Sequence, residues 1–114
     1  MRPHKKLDVW NKAIKLVTKI YKITESYPES EKFGLVSQIR RAAVSIPSNI
    51  AEGAARKGTK EFQQFLSIAQ GSAAELETQL IISAELGFLK EDSSIFDELE
   101  DISRMLLGLS RSLK

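Results

Sequence analysis

The sequence predicts an all-α chain folded as an antiparallel up-down-up-down four-helix bundle. Three observations predict it. Apolar residues recur at steps of three and four through four separate stretches. Only three prolines and six glycines interrupt the 114 residues, and strong helix formers dominate. The breaks between stretches are short, as antiparallel neighbours in a bundle require. At this length the chain is one domain that can bury a core without staples. Residues 1–7 are expected to be a mobile basic leader and residues 8–114 the single bundle domain.

The first helix is predicted from a cap at Asp8 to about residue 26. Leu7, Trp10, Ile14, Val17, Tyr21 and Thr24 form its expected inward stripe, widened by Ala13 and Ile20. Lys12, Lys15, Lys19 and Lys22 repeat the spacing on the opposite face and make a column of positive charge. Pro28 cannot continue this helix, and Ser30 is the expected cap of the next.

The second helix carries Val36, Ile39, Ala43, Ile46 and Ile50 in the same rhythm, with Pro47 inside it. The proline removes a backbone donor and crowds the carbonyl of Ala43, so a bend is expected there, with Ser45, Ser48 or water meeting the freed carbonyl. Its outer face reads Arg41, Ser45, Ser48, Glu52, Arg56, and Arg56 stands one turn from Glu52. Arg40 lies at the edge of the core stripe, where an arginine packs its stem and bonds a carboxylate.

Residues 53–60, GAARKGTK, have the glycine spacing of a phosphate loop. The Thr59-Lys60 order is wrong for one, and the segment follows a helix rather than a strand, so that reading fails. Gly58 is better read as a helix C-cap and Thr59 as the N-cap of a third helix running to about residue 86. Phe62, Leu66, Ala69, Ala73, Leu76, Leu80 and Ser83 hold its seam, while Phe65, Ile68, Ile81 and Ile82 lie off it. This helix should therefore be covered by more than one neighbour. The run Gly71-Ser72-Ala73-Ala74 suggests close approach of another backbone, which would compensate a mid-helix glycine. Gly87 is the expected stop, and Asp92-Ser93-Ser94 opens a fourth helix with the seam Ile95, Leu99, Ile102, Leu106, Leu109, Leu113. Apolar surface on the third helix, with Val44, Ala51 and Ala55 on the second, exceeds what one bundle can bury and hints at self-association.

Charge is divided between the halves. Residues 1–57 hold twelve Lys/Arg against five Asp/Glu, a balance of +7, and residues 58–114 hold five against ten, a balance of −5. A bundle built this way has a basic and an acidic side, suited either to an anionic partner or to a sister subunit. The bland alternative is a solvated surface.

Little in the chain can carry chemistry. The single histidine, His4, lies in the leader and there is no cysteine, so no His/Cys metal site is expected. No nucleophile elbow is present, and no folded histidine can serve a serine. Glu75, Glu77 and Glu85 sit as ordinary helix-surface carboxylates without partners for acid–base work. The expectation is a protein without catalytic activity, cofactor or metal. The lack of cysteine and of any signal-like or membrane-spanning apolar run is consistent with the cytoplasm, which is the expected compartment.

Residues 38–53, QIRRAAVSIPSNIAEG, together with Leu7-Asp8-Val9-Trp10, Lys60-Glu61-Phe62, Phe65-Leu66 and residues 71–80, GSAAELETQL, closely resemble one family. It is that of the four-helix-bundle proteins encoded within intervening sequences of bacterial 23S ribosomal RNA genes. The resemblance covers nearly the whole chain in order. It implies a four-helix bundle without a catalytic motif, assembled with its copies into a five-fold ring. One branch is similar to the accessory variability determinant of diversity-generating retroelements, which implies nucleic acid and a reverse transcriptase as partners.

Two functions follow as expectations. The first is an oligomeric protein that binds RNA or DNA through its phosphates, with Lys12, Lys15, Lys19, Lys22, Arg40, Arg41, Arg56, Lys57 and Lys60 as the contacting residues. The second is a protein-interaction scaffold whose basic half meets an acidic partner, including its own neighbour.

Overall fold

Four helices carry the chain: α1 (Asp8–Thr24), α2 (Leu35–Ala54), α3 (Thr59–Glu85) and α4 (Ser94–Ser112). The structure is a computed structural model and describes residues 3–113, so Met1, Arg2 and Lys114 lie outside the described residues. Each helix packs against its two neighbours in the cycle α1–α2–α3–α4, and among the described residues no diagonal pair of helices brings its backbones close. This is the expected up-down-up-down bundle, 44 Å long and about half as wide, at 23 × 21 Å. Among the described residues there is no strand.

The core is continuous and almost wholly aliphatic. Leu16, Ile20, Ile39, Ile46, Ile50, Leu66, Leu76, Leu80, Ile95, Leu99, Ile102 and Leu106 are its fully buried large side chains. Seams on α3 and α4 fall where the periodicity puts them. The stripe on α1 does not. Val9, Ala13, Leu16, Ile20 and Thr24 face the core, whereas Trp10 and Val17 are half-buried and Ile14 and Tyr21 are exposed. Of the predicted stripe Thr24, Ala13 and Ile20 do reach the core, while Trp10, Ile14, Val17 and Tyr21 form an apolar flank about 100° round the helix, turned toward α2.

Local signals also differ from expectation in ways that have physical causes. Within the segment read as a leader, Pro3–Lys6 form a 3-10 turn, and Met1 and Arg2 lie outside the described residues. The His4 ring meets the edge of Trp10 at 4.9 Å between centroids, and Asn11 Nδ2 donates to the carbonyls of Lys5 and Leu7. Leu7, not Asp8, occupies the N-cap of α1, leaving Asp8 in the first turn, where its charge suits the dipole. Ser30 lies in a short 3-10 turn, Glu29–Glu31, and α2 starts four residues later at Leu35, whose N–H is met by Glu31 Oε1 at 3.4 Å. Gly58 caps the start of α3 instead of the end of α2, which closes at Ala55. The end of α3 is as expected. Gly87 takes φ +81°, and the N–H groups of Gly87 and Phe88 donate to the carbonyls of Ala84 and Ser83, a Schellman ending. Ser93 Oγ caps α4 by accepting from Ile95 N–H.

The closest packing is between α2 and α3. Ala42, Ala43, Ala69, Ser72 and Ala73 are buried along these two helices, and Ser45 Oγ lies 2.8 Å from Ser72 Oγ. Ser45 also accepts from Asn49 Nδ2, so it is engaged with these partners rather than with the carbonyl released by Pro47. The chain stays helical through Pro47. The glycine that permits the approach is Gly53. A Cβ there would stand 2.6 Å from Phe65 Cβ and 3.0 Å from Phe62 Cδ1. Gly71, the sequence-based candidate for that role, has nothing within 4 Å.

Tyr27 is the one buried phenol. It packs on Phe88 at 5.4 Å between centroids, and its hydroxyl is buried without a hydrogen bond among the described residues. Burial pushes the phenol above its usual range, and its polar neighbour Ser83 offsets only part of that.

These contacts separate the two glycines. Gly53→Ala is expected to lower stability by about 1–2 kcal/mol, because overpacking outweighs the helix-propensity gain. Gly71→Ala is expected to raise it by up to about 1 kcal/mol. Thermal and urea denaturation of the two variants beside the parent chain would check both signs; a stabilised Gly53→Ala would remove the close approach from the account.

Candidate nucleic-acid interface

The nine cations singled out by the sequence lie on the surface of α1, α2 and the α2–α3 junction, but they do not form one patch. Helix α1 carries Lys12, Lys15 and Lys19 on its α4 side. Lys12 and Lys15 border a hollow with Glu98, Asp101 and Ile102 of α4. Lys19 Nζ pairs with Glu98 and donates to Ser94 Oγ at 2.9 Å. The expected free column is thus turned toward the acidic half of α4, and part of its charge is met inside the chain. Lys22 stands exposed in the last turn of α1.

Arg40 is held at the C-terminal end of α1. Its Nε donates to Thr24 Oγ1 at 2.9 Å and its Nη2 to the Tyr21 carbonyl at 3.3 Å, while its guanidinium stacks on the Tyr21 ring at 4.4 Å. The Thr24 hydroxyl in turn donates to the Ile20 carbonyl at 2.8 Å. Arg40 therefore satisfies the last turn of α1, where a cation is favoured. The expected carboxylate partner is absent among the described residues, so its charge is not cancelled by a salt bridge.

Arg41, one residue on, points outward and has no partner among the described residues. It lines an open cleft of about 480 Å³ with Tyr21, Lys32, Phe33, Ser37, Arg40 and Val44. Every charged side chain lining that cleft is cationic. Lys32 and Phe33 lie in the turn before α2, and neither was singled out by the sequence. Phe33 is 90% exposed, and Lys32 Nζ stands 5.6 Å from its ring centroid. Their signal was a large apolar residue beside Gly34 in a polar turn, which periodicity does not weigh.

At the other end of α2, roughly 24 Å along the helix from Arg40, Arg56 pairs with Glu52 at 3.1 Å, as the spacing suggested, and lies over the Phe65 ring at 5.0 Å. Lys57 and Lys60 are exposed at the junction. Of the nine cations, only Lys19 and Arg56 form a salt bridge among the described residues. No three His, Cys, Asp or Glu residues cluster as metal ligands there, and no described helix is long and apolar enough to cross a membrane.

Against known families, residues 5–108 match the model of the 23S rRNA-intervening sequence protein. The chain belongs to that family. Among solved structures it is similar to a protein of unknown function of the S23 ribosomal protein family from Bacteroides thetaiotaomicron, solved at 1.70 Å. The two share 25% identity and a TM-score of 0.81, over 90% of this chain and 98% of that one. No curated protein matches the chain. The matched region includes the Gly53 contact, the Arg40 anchor and the outward Arg41, all on α2.

Arg40 and Arg41 should separate in denaturation experiments. Arg40→Ala is expected to cost about 1–2 kcal/mol through its lost charged hydrogen bonds and ring contact. Arg41→Ala should stay within about 0.5 kcal/mol of the parent. Equal losses would mean that Arg41 is structural.

Proposed function

We propose that this chain is a non-catalytic accessory protein that associates with its own copies and binds RNA or DNA through backbone phosphates. The observation that carries this reading is the outward set Lys22, Arg41, Lys57 and Lys60, which forms no salt bridge among the described residues, joined by Arg40, which forms none there either. Contacts of that kind are sequence-neutral and release counterions, so binding should weaken steeply with salt.

Self-association is supported by apolar surface that the single bundle leaves open. Ile68, Ile81 and Ile82 of α3 are 51%, 49% and 44% exposed. Ile68, Glu75 and Ile82 follow one outer stripe of α3, continued by Leu86 at its C-cap. On the basic side, Trp10, Ile14, Val17, Val44, Pro47 and Ala51 line an apolar groove between α1 and α2 of about 330 Å³. An apolar ridge bearing Glu75 on one half of the chain and an apolar groove on the other suit a head-to-tail contact with a second copy, which closes into a ring when the rotation permits. The scaffold function rests on the same surface and drops out if nucleic acid binds.

Titration of labelled duplex DNA and structured RNA at two salt concentrations tests the binding. Affinity should fall with a log–log slope of roughly −0.9 per duplex phosphate contacted, and Arg41→Glu should weaken both ligands about tenfold or more. Light scattering on the same samples should give a multiple of the 12.8 kDa chain mass, five by the family resemblance, and Ile82→Glu should lower it. Failure to bind either ligand at low salt would leave only the scaffold.

A further inference from the structure

Phe33 is the least accounted-for side chain in the molecule. Burying a phenylalanine stabilises by about the same amount as burying any large apolar side chain, yet here the ring is 90% exposed at the tip of a turn. Its surroundings are not apolar. Lys32 stands over it, Arg40 and Arg41 face the same cleft, and Ser37 adds a hydroxyl. A second ring, Tyr21, forms the cleft's other wall and is already stacked on Arg40. The adjoining hollow holds the carboxylates Glu25 and Glu29 beside Arg40 and Lys32, and Glu31 meets the start of α2, so the backbone there is not the anion-binding element. No carboxylate lines the cleft itself.

An exposed ring flanked by cations has the chemistry that recognises an unpaired nucleotide. A base offers a face for stacking only when it is out of the duplex, and the phosphates on either side demand positive charge. Duplex DNA would satisfy the cations but leave Phe33 idle. An acidic peptide would also satisfy the cations, but its carboxylates offer the Phe33 face nothing to stack on. Resting on the nucleic-acid reading above, we infer that the cleft between Tyr21 and Phe33 holds a single-stranded segment, with a base stacked on Phe33 and its phosphates at Lys32 and Arg41. The remaining cations of α1 and of the α2–α3 junction then supply the sequence-neutral, duplex-tolerant part of binding.

Fluorescence anisotropy tests this with the full-length protein, a labelled 12-nucleotide oligo-dT or oligo-U, and a blunt hairpin of the same charge whose strands are joined by a non-nucleotide linker, so that it has no unpaired base. The parent chain should bind the single strands more tightly than the hairpin. Phe33→Ala should weaken single-strand binding on the order of tenfold while leaving the hairpin unchanged, and Phe33→Trp should restore it. Arg41→Glu should weaken both ligands. A parent chain that binds the hairpin but not the single strands would overturn this assignment and leave the phosphate-binding reading standing. Binding to neither would overturn both. Equal losses on both ligands in Phe33→Ala, or no loss at all, would show that the ring does not stack on a base. A change in oligomer mass without a selective loss would place Phe33 under a neighbouring subunit instead.

Discussion

The close approach of α2 and α3 at Gly53 is the constraint on which the rest of the molecule depends. With Phe65 Cβ 2.6 Å from where a side chain would begin, no larger residue fits without moving a helix. That contact fixes the rotation of α2 about its axis. Ala42, Ala43, Ile46, Ile50 and Gly53 are consumed by the interior, and Arg41, Val44, Ser48 and Glu52 are left facing out. The Ser45–Ser72 hydrogen bond holds the same register farther along the pair. A basic surface on α2 is therefore a consequence of how the core is packed, since the helix has no other way to bury its small residues.

Arg40 links that packing to α1. By binding Thr24 and the Tyr21 carbonyl it ties the end of α1 to the middle of α2. It also holds the Tyr21 ring against the guanidinium, so one wall of the Phe33 cleft is built by a structural arginine. The two neighbouring arginines divide the work: Arg40 supports the cleft and Arg41 is open to whatever enters it. On the far flank of α1 the lysines meet α4, where Glu98 takes up Lys19. The charge imbalance between the halves is thus partly spent within the chain at the α1–α4 seam and remains available along α1–α2.

The helices, their order and the seams of α3 and α4 were legible in the sequence because Ile95 to Leu106 offers a single apolar stripe against polar flanks, and Leu66 to Ser83 keeps an unbroken three–four rhythm despite Ile68, Ile81 and Ile82 off it. Helix α1 offers two adjacent stripes. Periodicity cannot choose the centre between Val9-Ala13-Leu16-Ile20 and Trp10-Ile14-Val17-Tyr21; the larger side chains drew it to the second, so Ala13 and Ile20 were placed inward but Val9 and Leu16 were missed. Gly71 drew attention through its small neighbours, yet the close contact belongs to Gly53, because proximity depends on the facing helix. For the same reason the sequence could pair Arg56 with Glu52, one turn away in the same helix, but could not place Lys19 beside Glu98, 79 residues on. Lys32 and Phe33 escaped notice because a turn has no period to read.

The central claim is that helix packing leaves the α1–α2 side, and not the α4 side, to meet an anionic ligand. Residue-resolved arginine and lysine modification, read by mass spectrometry with and without bound nucleic acid, tests it most directly. The account predicts protection of Arg41, Lys57 and Lys60, with Arg104 and Arg111 of α4 as reactive as in the free protein. Protection of the α4 arginines, or equal protection around the whole bundle, would contradict it.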